Sequence, residues 1–160
     1  MLKYVNFDIV FQEIPDEVTL AINISNCPNG CSECHSPFLQ RDAGEPITEG
    51  FLSSLLYEYG KSITCICFMG GDSEPDEIAR FAKFLHRQSL AKVKVGWYSG
   101  KQKLPPSMPV KYFQYIKLGP YIEQFGPLKS SNTNQRLYMI NEREQMEDIT
   151  SCFWKQEVFA

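Results

Sequence analysis

Val5, Phe7, Ile9 and Phe11 recur at every second position, the period of a half-buried strand, over residues 3–12. Pro15-Asp16-Glu17 then turns the chain into VTLAINIS, a second strand over residues 18–25, so a hairpin or a crossover opens the domain. Further on the period changes. Thr48 can cap a helix in which Phe51, Leu52, Leu55, Leu56 and Tyr59 recur at helical spacing, with Gly60 as its stop. SITCICFM, residues 62–69, is a nearly continuous apolar run of strand formers, as in a strand buried on both faces, and it ends at Gly70-Gly71-Asp72. From about Pro75 to Gln88, Ile78, Phe81, Ala82 and Leu85 share one helical stripe. KVKVGWYSG reads as the next strand, Lys101–Pro109 as a proline-rich linker and VKYFQYIKLG as another strand. QRLYMI closes the series before a helical stretch from about Glu142 to Trp154.

Strands alternating with helices predict an α/β fold in one domain, residues 1–160, built on a parallel sheet that is either open or curved as a partial (βα) barrel. ISNCPNGC, FMGGD, WYSG and KLGPY each begin where a predicted strand ends. In parallel α/β folds those carboxyl ends form one rim, where ligands bind, so four separated segments are expected to converge there.

Composition narrows the field. The 160 residues are 43% apolar and 13% aromatic, enough for one core but not for two full domains. Sixteen Lys and Arg against nineteen Asp and Glu give a formal charge of −3, without the basic stripe of a nucleic-acid footprint. No apolar run approaches a membrane span, and Asn6 and Asp8 interrupt the N-terminal segment with no cleavage pattern after it, so a cytoplasmic protein is expected. In that compartment six cysteines are not expected to form a disulfide framework. Three of them crowd into eight residues, which points to metal or redox chemistry.

Cys27, Cys31 and Cys34 have C-x3-C-x2-C spacing, and Pro28-Asn29-Gly30 allows the loop to fold around a compact centre. A cubane iron-sulfur cluster held by three thiolates leaves one iron open to a reactant. Two alternatives stay open at this point. One is structural zinc, with His35, His86 or another cysteine as fourth ligand; the other is a closed electron-transfer cluster completed by Cys65, Cys67 or Cys152. Cys65 and Cys67 lie two apart on a predicted strand and suit core filling, as does Cys152 in the last predicted helix.

The cysteine triad, followed about one βα unit later by a strand ending in Gly-Gly-acid, resembles the radical S-adenosylmethionine superfamily. Within it, FQEIPDEVTLAINISNCPNGCSECHSP, FMGGD, VGWYSG and YIKLGPYIEQFGPL with TNQRLY resemble the activating proteins of anaerobic ribonucleoside-triphosphate reductase, to about Ile140. The resemblance implies a partial barrel of the radical S-adenosylmethionine type. It also implies a [4Fe-4S] cluster on Cys27, Cys31 and Cys34 and S-adenosyl-L-methionine chelating the fourth iron. Reduction would cleave that cofactor to methionine and a 5′-deoxyadenosyl radical, which takes hydrogen from a glycine of the reductase large subunit. A reduced flavodoxin or ferredoxin-like protein is the implied electron donor.

Residue by residue, the resemblance assigns Gly70, Gly71 and Asp72 to the methionine amino group, Tyr98 and Ser99 to the pocket wall and Gly119 to close approach by the adenosyl portion. Asp72 or Ser73 equally suits a cap for the following helix, Tyr98 suits packing, and Gly119 suits a turn before Pro120. Ser25 and Asn26 suit turn formation as well as orientation of the loop. Three positions depart from the pattern: Asp72 replaces the commoner Glu, Lys117 stands where some relatives have Asp, and Glu33 replaces the aromatic residue that often precedes the third cysteine. His35 offers a planar surface nearby.

Overall fold

The structure, a computed structural model, describes residues 1–28, 37–88 and 92–154. Eight strands form one sheet: β1 (Lys3–Val10), β2 (Thr19–Ile24), β3 (Glu45–Pro46), β4 (Cys65–Met69), β5 (Lys94–Tyr98), β6 (Tyr115–Leu118), β7 (Arg136–Ile140) and β8 (Met146–Asp148). Their order across the sheet is β3-β1-β2-β4-β5-β6-β7-β8. Helix α1 (Glu49–Tyr59) joins β3 to β4, and α2 (Pro75–Arg87) joins β4 to β5. Thr48 caps α1 as expected, accepting the Phe51 N–H at 3.0 Å.

The expected parallel sheet curved as a partial (βα) barrel is not what forms. The sheet is mixed: β2, β4, β5 and β6 run parallel, whereas β1 pairs antiparallel with both β2 and β3, and β7 pairs antiparallel with β6 and β8. The physical reason lies in the connections. A parallel return needs a crossover, and none forms at either end of the parallel block. β1 and β2 are joined by the tight Pro15-Asp16-Glu17 turn, with Asp16 at φ 63°. After β6, residues 119–135 carry Gly, Pro, Ser and Asn without helical periodicity, so β7 returns antiparallel.

The helical stretch expected over 142–154 is also replaced. Met146, Ile149 and Phe153 imitate a helical stripe, but Asn141 Oδ1 accepts the N–H groups of Arg143 and Gln145 at 2.9 and 3.0 Å and turns the chain into β8. Only a 3-10 turn follows, Thr150–Phe153. There Cys152 is exposed, not core-filling.

Because β2, β4, β5 and β6 lie in sequence order with no reversal, crossovers of one hand stack on one face. That face carries the larger core: Ile22, Phe68, Trp97 and Ile116 align across the sheet beneath Leu52, Ile78 and Phe81 of the helices. Burying side chains of this size is worth about 1.5–3 kcal/mol each. The opposite face bears Cys65, Cys67, Tyr115 and Leu137, packed with Ile14, Leu128 and Phe153 from loops. At the amino ends of the strands Glu17 is buried between Lys94 Nζ, at 2.7 Å, and the Tyr115 hydroxyl. Burial pushes its carboxyl up, but hydrogen bonds from Lys94, Tyr115 and Thr64 outweigh this and hold it below its ordinary value. No helix among the described residues is long and apolar enough to cross a membrane.

Candidate functional site

The carboxyl ends of β2, β4, β5 and β6 fall at the same edge of the sheet, where Asn23, Met69, Tyr98 and Lys117 are register partners in one row. Beyond β2 the chain passes through buried Ser25, whose N–H donates to Lys3 O at 3.0 Å. Asn26 follows at φ 59°. The N–H groups of Asn26 and Cys27 then donate to Arg41 O at 3.1 Å and Leu39 O at 2.9 Å, which closes the base of the cysteine loop. Asp42 reinforces that base by accepting from Lys3 Nζ at 2.8 Å and Asn26 Nδ2 at 3.1 Å, bonds that hold its carboxyl below the usual range. Cys27, partly buried, thus starts the loop on the rim. Cys31, Glu33, Cys34 and His35 lie outside the described residues, and among the described residues no three His, Cys, Asp or Glu side chains gather as a metal site.

The Gly-Gly-Asp turn is built for position. Gly70 and Gly71 take φ 113° and 89°, in the region that favours glycine. Gly70 donates its N–H to Tyr98 O at 3.0 Å and accepts from Trp97 Nε1 at 2.7 Å. A Cβ on Gly71 would stand 2.5 Å from Ile78 Cδ1, so the absent side chain here admits α2 against the turn. Asp72 receives the Ser99 hydroxyl on Oδ1 at 2.5 Å and the Gly100 N–H on Oδ2 at 2.8 Å. Neither Asp72 nor Ser73 caps α2; the N-cap position is Glu74, which makes no side-chain cap bond.

Ser99 is 1% exposed and fully engaged within the chain. Besides donating to Asp72, its Oγ accepts the Lys101 N–H at 3.1 Å, and its N–H donates to Lys117 O at 2.9 Å. Its carbonyl accepts from Lys117 Nζ at 3.0 Å. The same ammonium donates to Gly119 O at 2.9 Å and lies 5.5 Å from the centre of the Tyr98 ring. Gly119, at φ 111°, returns its N–H to Lys101 O at 2.7 Å, and a Cβ there would meet Gln135 Cα at 3.1 Å.

On the helix-free face a cavity of about 500 Å³ runs down from this rim. Its floor is Ala21, Asn23, Met69 and Tyr98; Asp8, Gln12 and Glu13 form one wall, and Tyr121, Leu128, Lys129, Gln135 and Phe153 the other. Lys129 Nζ donates to Gln12 Oε1 across it at 2.7 Å. Burial first, and then the neighbouring Cys67, Glu13 and Cys65, push the Tyr98 phenol up, so it stays protonated and donates to Glu13 O. Of the six residues that the sequence assigns to a cofactor, only Tyr98 lines the cavity; Gly70, Gly71, Asp72 and Ser99 are bonded at the strand ends beside it, and Gly119 lines a separate hollow with Gln102, Asn134 and Arg136. Asp8, Asn23 and Gln135 escaped the sequence reading. Asn23, a lone polar residue in the apolar run LAINI, is the signal that the second face of β2 meets something polar.

Three of the alternative fourth ligands are poorly placed or poorly suited for the role. His86 stands in the last turn of α2, roughly 16 Å along the helix axis from Pro75 at the rim. Cys65 and Cys67 are fully buried in β4, and burial pushes both thiols well up, the reverse of what a thiolate ligand needs. No protein-family model, curated protein or solved structure matches the chain.

Proposed function

We propose that this protein is a cytoplasmic iron-sulfur activase that uses S-adenosyl-L-methionine to generate a glycyl radical on the large subunit of anaerobic ribonucleoside-triphosphate reductase. A reduced flavodoxin or ferredoxin-like protein is the electron donor. The observation that carries the reading is the knitted rim: β2 delivers Cys27 to the same edge at which Gly70–Asp72, Tyr98–Gly100 and Lys117–Gly119 are bonded to one another, beside a cavity that Tyr98 lines. It needs the four parallel strands only, and is independent of barrel closure.

The donor set and the space fit the groups in question. Thiols are the ordinary ligands of a four-iron cluster, and Cys27, Cys31 and Cys34 supply them. A cavity of about 500 Å³ falls within the range of small-molecule sites, roughly 300–1,000 Å³. When bound, cluster and cofactor would supply reductive cleavage of the sulfonium and a radical able to take hydrogen from glycine.

The chain's own residues do the rest. Asp72, with both oxygens already oriented, presents a fixed anion to the ammonium of the methionine portion. Tyr98, Met69 and Phe153 give the cavity apolar surface, and Asn23 and Gln135 offer it amide donors and acceptors.

Anaerobic reconstitution should give about four irons per chain. Reduction with S-adenosylmethionine should release methionine, and adding the reductase should give a glycyl radical by electron spin resonance. A cluster-bearing protein that leaves the cofactor intact refutes the enzyme reading; cleavage without a radical on the reductase refutes the partner.

A further inference from the structure

Lys117 sits on the cavity-side face of β6, 8% exposed, at a position where a lysine is costly to bury without full hydrogen bonding. Its ammonium joins two strand ends, donating to the carbonyl of Ser99 beyond β5 and to that of Gly119 beyond β6. Ser99 in turn spends its hydroxyl on Asp72, the residue beyond the Gly-Gly turn of β4. One chain of bonds therefore runs from Lys117 through Ser99 to Asp72, crossing three strands.

The geometry points to Lys117 as a positioning residue for Asp72: it fixes Ser99, and Ser99 aims the carboxylate at the ammonium group of S-adenosylmethionine. This role rests on the function proposed above. Asp72 has only one methylene between backbone and carboxylate, so its reach is set by the backbone of the turn and by the partners that fix its torsion. Ser99 and Gly100 are those partners, and the Lys117 ammonium adds to the bonds that hold Ser99 by fixing its carbonyl.

The test uses anaerobically reconstituted full-length protein, with S-adenosylmethionine as probe in equilibrium dialysis and iron content and near-ultraviolet circular dichroism as controls. Lys117→Met should keep cluster and fold yet bind the probe about tenfold more weakly, the scale of one charge-assisted hydrogen bond. Asp72→Asn should weaken binding as well. The double variant should bind no more weakly than Asp72→Asn alone, because both changes act through one carboxylate. A general structural role for Lys117 would instead add its full loss in the Asp72→Asn background, and that result overturns the proposal. Lys117→Met binding like the wild type overturns it too. If Lys117→Met does not fold, Ser99→Ala removes the middle link and carries the same two predictions. Wild-type protein with an intact cluster that binds no probe overturns the functional reading, and this role with it.

Discussion

Replacing Gly71 with alanine tests how the rim is held. The backbone there has φ 89°, and a new Cβ would lie 2.5 Å from Ile78 Cδ1 and 2.8 Å from Ile78 Cγ1. Two costs follow. A side chain at positive φ costs roughly 1–2 kcal/mol. Forcing the methyl against a fully buried isoleucine adds roughly 1–3 kcal/mol of overpacking. The sum, about 2–5 kcal/mol, is a large fraction of the roughly 5–15 kcal/mol that holds a domain folded. Urea unfolding followed by circular dichroism should show this as a lower midpoint with little change in slope. Ile78→Ala, which removes both clashing atoms, separates the two costs. Alone it should destabilise by about 2–5 kcal/mol; combined with Gly71→Ala, the total should fall short of additivity by about the overpacking share. A Gly71→Ala variant within about 1 kcal/mol of the wild type would refute the account of both conformation and packing.

Two further predictions concern titratable groups away from the rim. Iodoacetamide at neutral pH should label Cys152, which is exposed, and leave Cys65 and Cys67 unmodified until the protein is unfolded, because burial keeps their thiols protonated and out of reach; labelling of either in the native state, read by peptide mass, contradicts the packing. Glu17 has a folded-state pKa below its ordinary 4.5, so its contribution is complete above that value and is lost as pH falls through the folded pKa. Glu17→Gln should therefore cost about 1.5–3 kcal/mol at pH 7, with the gap to the wild type closing under acid conditions. A gap that widens as pH falls, measured by thermal unfolding, would reverse the sign of the argument.

The positions of most strands and both helices were legible because each has one dominant period. The alternation of Val5, Phe7 and Ile9, the run CICFM and the stripe Ile78, Phe81, Ala82, Leu85 each match a single element. Direction was not legible. Whether a strand returns parallel depends on what its connection can pack against, and residues 119–135 give no periodic signal either way. The stretch after Ile140 misled for a more specific reason: Met146, Ile149 and Phe153 have helical spacing, but the side chain of Asn141 turns the backbone before a helix can nucleate. At the rim, Gly70–Asp72 announced a special turn. The sequence could not tell that the space beside Gly71 belongs to Ile78, since that contact exists only once α2 has docked.

The lysine at position 117 and the aspartate at position 72 gain a common explanation if they are coupled. A shorter acid at the turn has less freedom to find its ligand and depends more on the surrounding bonds to hold it in place. Those bonds run through Ser99, whose carbonyl needs a donor from the next strand. An aspartate at 117 could not give one, because an ionised carboxylate only accepts. Lysine can donate to Ser99 O and Gly119 O together. Lengthening the acid, Asp72→Glu, should bring the carboxylate into the space of Ser99 and Gly100 and weaken binding of S-adenosylmethionine in equilibrium dialysis, and binding at wild-type strength would refute the account.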